Sequence, residues 1–173
     1  TALYAGFQSS ILKKNDRIIC SSAISAMGTG LAESIGVGQS KIYNQMICII
    51  GDGSFLMNCQ DLQSIFQNNF NIIILVVNND GYLAIRHTQK EFLGRRYFGT
   101  SPSGNLTFPS IKKIANAFRI KYFKIDKINK EDLIIKKLLS VKGPKICELI
   151  VDKDQDSLFK QGYKKNINGT FSP

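Results

Sequence analysis

The chain has 173 residues, of which 43% are hydrophobic and 21% charged, and its formal net charge is +10 at pH 7. This length suits one globular domain with a sizeable core. No apolar run approaches the ~18 residues of a membrane span, and the first residues lack a signal-peptide layout, so we expect a soluble cytoplasmic protein without a membrane partner.

The positive charge is spread along the chain and is not gathered into a recognition motif. Lys112, Lys113, Lys136 and Lys137 fall where amphipathic helices would face water, without the interleaved aromatic residues typical of nucleic-acid readers. We therefore expect no nucleic-acid partner, although the positive field would favour an anionic ligand.

The four cysteines lie far apart, with no CxxC pair and no histidine cluster. This spacing indicates neither a disulfide framework nor a zinc site. We expect reduced thiols that mostly belong to the core: Cys20, Cys48, Cys59 and Cys147.

The first half of the chain alternates between short apolar runs and segments of helical spacing. In order, the pattern predicts a strand at 16–22, a helix at 28–40, a strand at 45–50, a helix at 58–69 and a strand at 71–77. Leu31 and Ile35 share one face of the first helix. No polar residue interrupts the third strand after Asn71, so both of its faces should be covered, as in a parallel sheet.

The second half repeats this alternation after a long polar and aromatic segment, residues 87–110, that has little periodicity. Irregular segments of that length are usually functional or mobile. The pattern then predicts a helix at 110–118, a strand at 121–125, a helix at 130–140 and a strand at 145–151. The result is an α/β domain over residues 1–151, a doubly wound and mostly parallel sheet with helices on both faces, followed by a tail over 152–173.

Polar residues follow two predicted neighbouring strands. Asp52 stands in "GDG" at the end of one strand, and Asn79 in "NN" at the end of the next. Both should lie at the carboxyl edge of the sheet, where open α/β sheets bind ligands. A carboxylate, an amide oxygen and the unhindered carbonyl of Gly81 would form half of an octahedral magnesium shell, which water and phosphate complete.

The magnesium hypothesis predicts a phosphate ligand beside the metal. Gly53 and Ser54 have backbone N–H groups near the start of the following segment, and Gly51 and Gly53 allow the main chain to approach a diphosphate closely. Either motif alone is more often a simple turn or loop, and their combination after two apolar strands favours the site.

At this point the sequence resembles the thiamine diphosphate-dependent enzymes. "GDG", 24 intervening residues and "NN" match the cofactor signature of that family. "NNDGYLAIRHTQ" (78–89) looks like the acetolactate synthase and 2-oxoacid decarboxylase branch, and "SAISAMGTGLAESIG" (22–36) is similar to the segment that precedes GDG there. The resemblance covers about residues 1–151 and implies the diphosphate-binding domain.

The resemblance also implies roles for individual residues. Asp52 and Asn79 would bind Mg²⁺ through side chains and Gly81 through its carbonyl. The thiamine diphosphate site would also include Gly51, Gly53, Ser54 and Tyr82. Met27 matches the bulky apolar residue beneath the bent cofactor, and Ser25 the position whose carbonyl accepts from the aminopyrimidine. A plain core methionine is the alternative for Met27.

The resemblance implies an incomplete site. The family's catalytic glutamate belongs to a pyrimidine-binding domain, so we expect no catalytic residue in this chain and a partner domain from the same or a second chain, in a homodimer or homotetramer. Leu31-Ala32-Glu33-Ser34 stands where the family has Leu-Pro-Ala-Ala. The opening segment (2–11) looks like the helix after the family's first strand, so we expect that strand to be missing and the chain to be a fragment.

The implied reaction is decarboxylation or carboligation of a 2-oxoacid such as pyruvate. Two alternatives stay open: a separate subunit of a split decarboxylase, and a non-catalytic domain that keeps the cofactor motif. His87, the single histidine, is expected to have a surface or supporting role. The commoner interpretation of Arg86, Arg95 and Arg96 is that they are solvated loop cations.

Overall fold

The computed structural model describes residues 6, 9–21, 23–127, 131–155 and 164–172. Its main strands are β1 (Met46–Gly51), β2 (Ile72–Asn78), β3 (Lys121–Ile125) and β4 (Lys145–Ile150). They form one sheet in the order β1-β2-β4-β3, and every pair is parallel. The carboxyl ends of all four strands therefore meet at one edge.

The helices are α1 (Thr29–Ser40), α2 (Asp52–Met57), α3 (Asp61–Gln67), α4 (Leu83–Phe92), α5 (Ile111–Ala117) and α6 (Glu131–Ser140), with a 3₁₀ turn at Pro102–Gly104. They cover both faces of the sheet, and the predicted α/β class is confirmed. The predicted strands at 45–50, 71–77, 121–125 and 145–151 are also confirmed, to within one residue at each end.

Alternation along the strands divides the core into two parts. On one face, Ile72, Ile74 and Val76 of β2 pack in a cluster with residues of α1, α3 and α5. On the other face, Ile73 and Cys147 pack against α6. The uninterrupted apolar sequence of β2 thus reflects burial on both faces, as its pattern predicts.

β1 is an edge strand among the described residues. Cys48 and Ile50 are buried in the cluster beneath α1, whereas Ile47 is 61% exposed and Ile49 49% exposed on the opposite face. The strand predicted at 16–22 is wrong for residues 16–21, which form no backbone pairing with a strand in the described part of the chain, and Ser22 lies outside that part.

The irregular segment predicted at 87–110 is shorter than expected, because α4 continues to Phe92. The helix was missed because its buried face includes Arg86 and Gln89 beside Leu83, so apolar periodicity does not reveal it. In the tail, β5 (Lys164–Lys165) pairs antiparallel with β6 (Phe171–Ser172).

The segment expected to open the domain as a helix (2–11) falls largely outside the described residues, as does residue 130 of the helix predicted at 130–140. Within the described part of the chain, none of the helices is both long and apolar enough to cross a bilayer.

Leu62 of α3 is fully buried in the larger core cluster. Leu62→Ala should lower the free energy of unfolding by about 2–5 kcal/mol, because the removed methyl groups leave a cavity. Leu139, 52% exposed on α6, provides a matched control, and its alanine variant should change stability by less than about 0.5 kcal/mol. Chemical denaturation of the full-length protein measures both; equal losses would contradict this core assignment.

Candidate functional site

The register of β1 and β2 brings the two predicted motifs together. Gly51 pairs with Val77, so Asp52 leaves the sheet beside the residues that follow β2. The Asp52 side chain is buried; its Oδ2 accepts the N–H of Gly81 at 2.9 Å and its Oδ1 accepts the N–H of Gly53 at 2.8 Å. The carboxylate therefore lies directly against the loop that contains Asn79.

The surrounding protein groups offset only part of the cost of burying the Asp52 carboxylate. Burial raises its pKa above the ordinary value, and hydrogen bonds from the N–H groups of Gly81, Gly53 and Asn79 lower the pKa only in part, while the charge of Asp80 raises it further. Since a buried carboxylate needs a partner to offset its lost hydration, a cation at this position would stabilise the ionised form.

Asn79 supplies a second oxygen, in the loop whose backbone N–H groups bond to the Asp52 carboxylate. It is 8% exposed, and within the described part of the chain its Oδ1 is buried and accepts no hydrogen bond. A buried acceptor without a hydrogen bond costs free energy unless a water molecule or an ion binds it. Together with the Asp52 carboxylate, this oxygen has the hard-donor chemistry that Mg²⁺ selects.

Gly81 is required by geometry. Its φ is +137°, and an added Cβ would lie 2.1 Å from the carbonyl oxygen of Thr100. A side chain at position 81 would thus be strained and would also clash with the backbone. The glycine lets the loop pass between Asp52 and Thr100.

Gly53 makes room for a neighbouring aromatic ring, and its expected contact with a diphosphate stays a prediction. The Tyr82 ring occupies the space beside it, where an added Cβ would lie 2.1 Å from the nearest ring carbon, and the Gly53 N–H is bonded to Asp52. The missing side chain therefore makes room for Tyr82, which also packs edge-on against Phe108. At Gly51, by contrast, nothing lies within 4 Å of an added Cβ.

Four other predicted residues line a cavity of about 640 Å³ that runs along the outer edge of β1. They are Ser25, Met27, Gly51 and Ser54. Met27 is 44% exposed, which contradicts the alternative of a plain core methionine. The nine predicted cofactor residues thus fall into two groups. Four line this cavity, and the other five lie around the Asp52 carboxylate: Asp52, Gly53, Asn79, Gly81 and Tyr82. Gly51, which lines the cavity, directly precedes Asp52.

A polar network behind the site was not anticipated from the sequence. Glu148 of β4 is buried and accepts hydrogen bonds from Asn78 Nδ2 at 2.6 Å and from the Tyr122 hydroxyl. Asn78 Oδ1 in turn accepts the N–H of Asp80 at 2.9 Å. Asn78, the first asparagine of "NN", therefore supports the loop from behind, and the polar Glu148 within an apolar strand was the available signal.

The cationic residues after β2 differ in their surroundings. Arg86 is only 6% exposed, so its interpretation as a solvated cation is wrong, whereas Arg95 and Arg96 are exposed. His87 lines a separate cavity of about 570 Å³ with residues that include Lys90 and Lys153.

Comparisons with known proteins relate most of the chain to one family. The family model described as "Thiamine pyrophosphate enzyme, C-terminal TPP binding domain" matches residues 4–149. The chain is 30% identical over 143 residues to the acetolactate synthase large subunit of Porphyra purpurea, covering 83% of the chain and 24% of that protein. It is 28% identical over 138 residues to acetolactate synthase isozyme 2 large subunit of Escherichia coli, covering 80% and 25%.

The chloroplastic acetolactate synthase 1 of Zea mays is 29% identical over 150 residues, covering 84% of the chain and 24% of that protein. The chain thus spans about a quarter of the length of the curated relatives it matches.

Gly81→Ala should destabilise the protein, because the φ of +137° is unfavourable for alanine and the Cβ would meet the Thr100 carbonyl. The backbone strain alone is worth about 1–3 kcal/mol. Gly36 in α1 is the matched control: nothing lies within 4 Å of an added Cβ, so Gly36→Ala should stabilise by roughly 0.5–1 kcal/mol. Thermal melts of both variants test the difference in sign; a neutral Gly81→Ala would refute this loop geometry.

Proposed function

We propose a function from the premise that this chain belongs to the thiamine pyrophosphate enzyme family, whose C-terminal TPP-binding domain it matches over residues 4–149. The proposal is that it binds thiamine diphosphate through Mg²⁺ at the carboxyl edge of the sheet. Membership in this family confirms the resemblance that the GDG and NN motifs indicated. The bound metal and the residues that hold it are our proposal.

The observation that supports this most directly is the pairing of a buried carboxylate with an orphaned oxygen. Asp52 is 4% exposed and hydrogen-bonded to the loop in which Asn79 Oδ1 has no partner among the described residues. These two side chains, with the Gly81 carbonyl, would hold Mg²⁺. Water and the diphosphate would complete its shell, as is usual for this metal.

The cavity beside β1 would take the organic part of the cofactor. Its volume of about 640 Å³ is within the range of small-molecule sites, and its walls are partly apolar through Met27, Ile47 and Ile49. Ser25, with φ of 52°, also lines this cavity, as does Gly51, the residue directly before Asp52. When bound, thiamine diphosphate supplies an electron sink for cleavage next to a carbonyl group.

The proposed reaction follows from the relatives, which are acetolactate synthases. We propose that the whole protein acts on a 2-oxoacid such as pyruvate, as a decarboxylase or carboligase. A pyrimidine-binding domain from the same or a partner chain, in a homodimer or homotetramer, would provide the acid–base glutamate, so this domain alone would be inactive. The four free cysteines suit a cytoplasmic location.

Asp52→Asn should abolish Mg²⁺-dependent binding of thiamine diphosphate, because it removes the only charged ligand proposed. For the full-length wild-type protein, a ligand at 100 times its Kd stabilises the fold by about 2.7 kcal/mol, which thermal melts detect. The variant should show no such gain, and carbon dioxide release from pyruvate should be lost with it.

Asp126→Asn serves as the control, because Asp126 is exposed at the end of β3 and pairs only with Lys124, at 3.5 Å, among the ion pairs of the described residues. This variant should keep the wild-type stabilisation. Undiminished stabilisation of Asp52→Asn by Mg²⁺ and thiamine diphosphate would rule out the proposed metal site.

A further inference from the structure

A buried arginine lies next to the proposed metal loop. Arg86 is on α4, one turn after Leu83 and one turn before Gln89, and all three residues are buried on the same side of the helix. A guanidinium ion stays charged at any physiological pH, so its burial is costly unless its N–H groups are satisfied.

Carbonyl oxygens accept from both of its terminal nitrogens, whereas its Nε is buried without a hydrogen-bond partner among the described residues. Nη1 donates to the carbonyl of Thr100 at 2.9 Å and that of Asp80 at 3.3 Å. Nη2 donates to the carbonyl of Asn79 at 3.0 Å and to that of Lys153. One side chain thereby joins three separate segments: the loop after β2, the segment before the 3₁₀ turn, and the residues that follow β4.

The second of these segments is itself held firmly against the loop. Thr100 is 2% exposed, its hydroxyl donates to Gln89 Oε1 at 2.9 Å, and its carbonyl also accepts the N–H of Tyr82 at 3.0 Å. Arg86 therefore ties the loop to a fixed support.

We propose that Arg86 is a positioning residue for the cation site. By binding the carbonyls of Asn79 and Asp80 from outside, it holds the loop in the conformation that keeps Asn79 and Gly81 beside the Asp52 carboxylate. This inference rests on the proposed function, because it gives Arg86 a role only if Asp52 and Asn79 bind Mg²⁺.

Lysine could not replace this arginine. The guanidinium group presents donors on two nitrogen atoms in a fixed plane, and each nitrogen here spans two carbonyls from different segments. An ammonium group concentrates its donors on one atom at the end of a flexible stem, so it cannot reach the same four acceptors.

The test compares the Mg²⁺ affinity of full-length variants at saturating thiamine diphosphate, measured from the Mg²⁺ dependence of thermal stability. Arg86→Ala and Arg86→Lys should both weaken Mg²⁺ binding by about 10- to 100-fold, as losing a residue that orients metal ligands typically does. Arg96→Ala, at an exposed position four residues beyond α4, is the matched control and should leave the affinity unchanged.

Chemical rescue separates positioning from general destabilisation. Millimolar guanidinium chloride should restore much of the Mg²⁺ affinity of Arg86→Ala by occupying the vacated space, whereas sodium chloride at equal ionic strength should not. A loss that guanidinium fails to restore would overturn the proposal. If Arg86→Ala does not fold, Arg86→Lys decides: wild-type Mg²⁺ affinity in that variant overturns the proposal, and weakened affinity with a wild-type melting temperature in the absence of metal supports it.

The two proposals fail in distinguishable ways. Wild-type Mg²⁺ affinity in Asp52→Asn would refute the metal site itself and the role of Arg86 with it. If Asp52→Asn loses Mg²⁺ binding while both Arg86 variants keep it, the proposed function stands and the inference about Arg86 is wrong.

Discussion

The contact between the end of β1 and the loop after β2 is the constraint on which the rest of the site depends. The Asp52 carboxylate bonds to the N–H of Gly81 at 2.9 Å because β1 and β2 are parallel neighbours whose register pairs Gly51 with Val77. A one-residue slip would turn the alternating side chains of a strand to the opposite face of the sheet and would displace the loop. The core that fixes this register, including Ile74 and Val76, therefore also fixes the site.

The loop keeps its conformation because its surroundings bind it on two sides. Asp80 has φ of 58° and Gly81 φ of 137°, conformations that an unsupported chain seldom adopts. Asn78 binds the N–H of Asp80 from the sheet side, and Arg86 binds two loop carbonyls from the helix side. The buried Asp52 carboxylate thus lies within a frame of oriented backbone N–H groups, which offset part of the cost of its burial.

The sequence predicts the sheet well because strands buried on both faces are apolar without interruption. β2 is the clearest case, and the parallel sheet follows from it. Helix α4 was not predicted, because its inward face consists of Leu83 and two polar residues, Arg86 and Gln89, while the apolar Ile85 and Phe92 are exposed. The strand expected at 16–22, which does not form over residues 16–21, shows the converse limit: an apolar run indicates strand propensity, but a strand also needs a neighbour that supplies hydrogen bonds.

The sequence reveals only part of the candidate site, because it shows the types of the side chains and not the positions of the main-chain groups. Asp52 and Asn79 are recognisable because a polar residue at the end of an apolar strand is conspicuous, and Gly81 because a glycine beside them leaves its carbonyl unhindered; the positive φ that requires this glycine is visible only in the structure. The support around them consists largely of main-chain groups, such as the carbonyls of Thr100 and Lys153, whose positions no residue type encodes. Motifs as short as "GDG" and "NN" can therefore mark the candidate site, while the geometry around them comes from the fold as a whole.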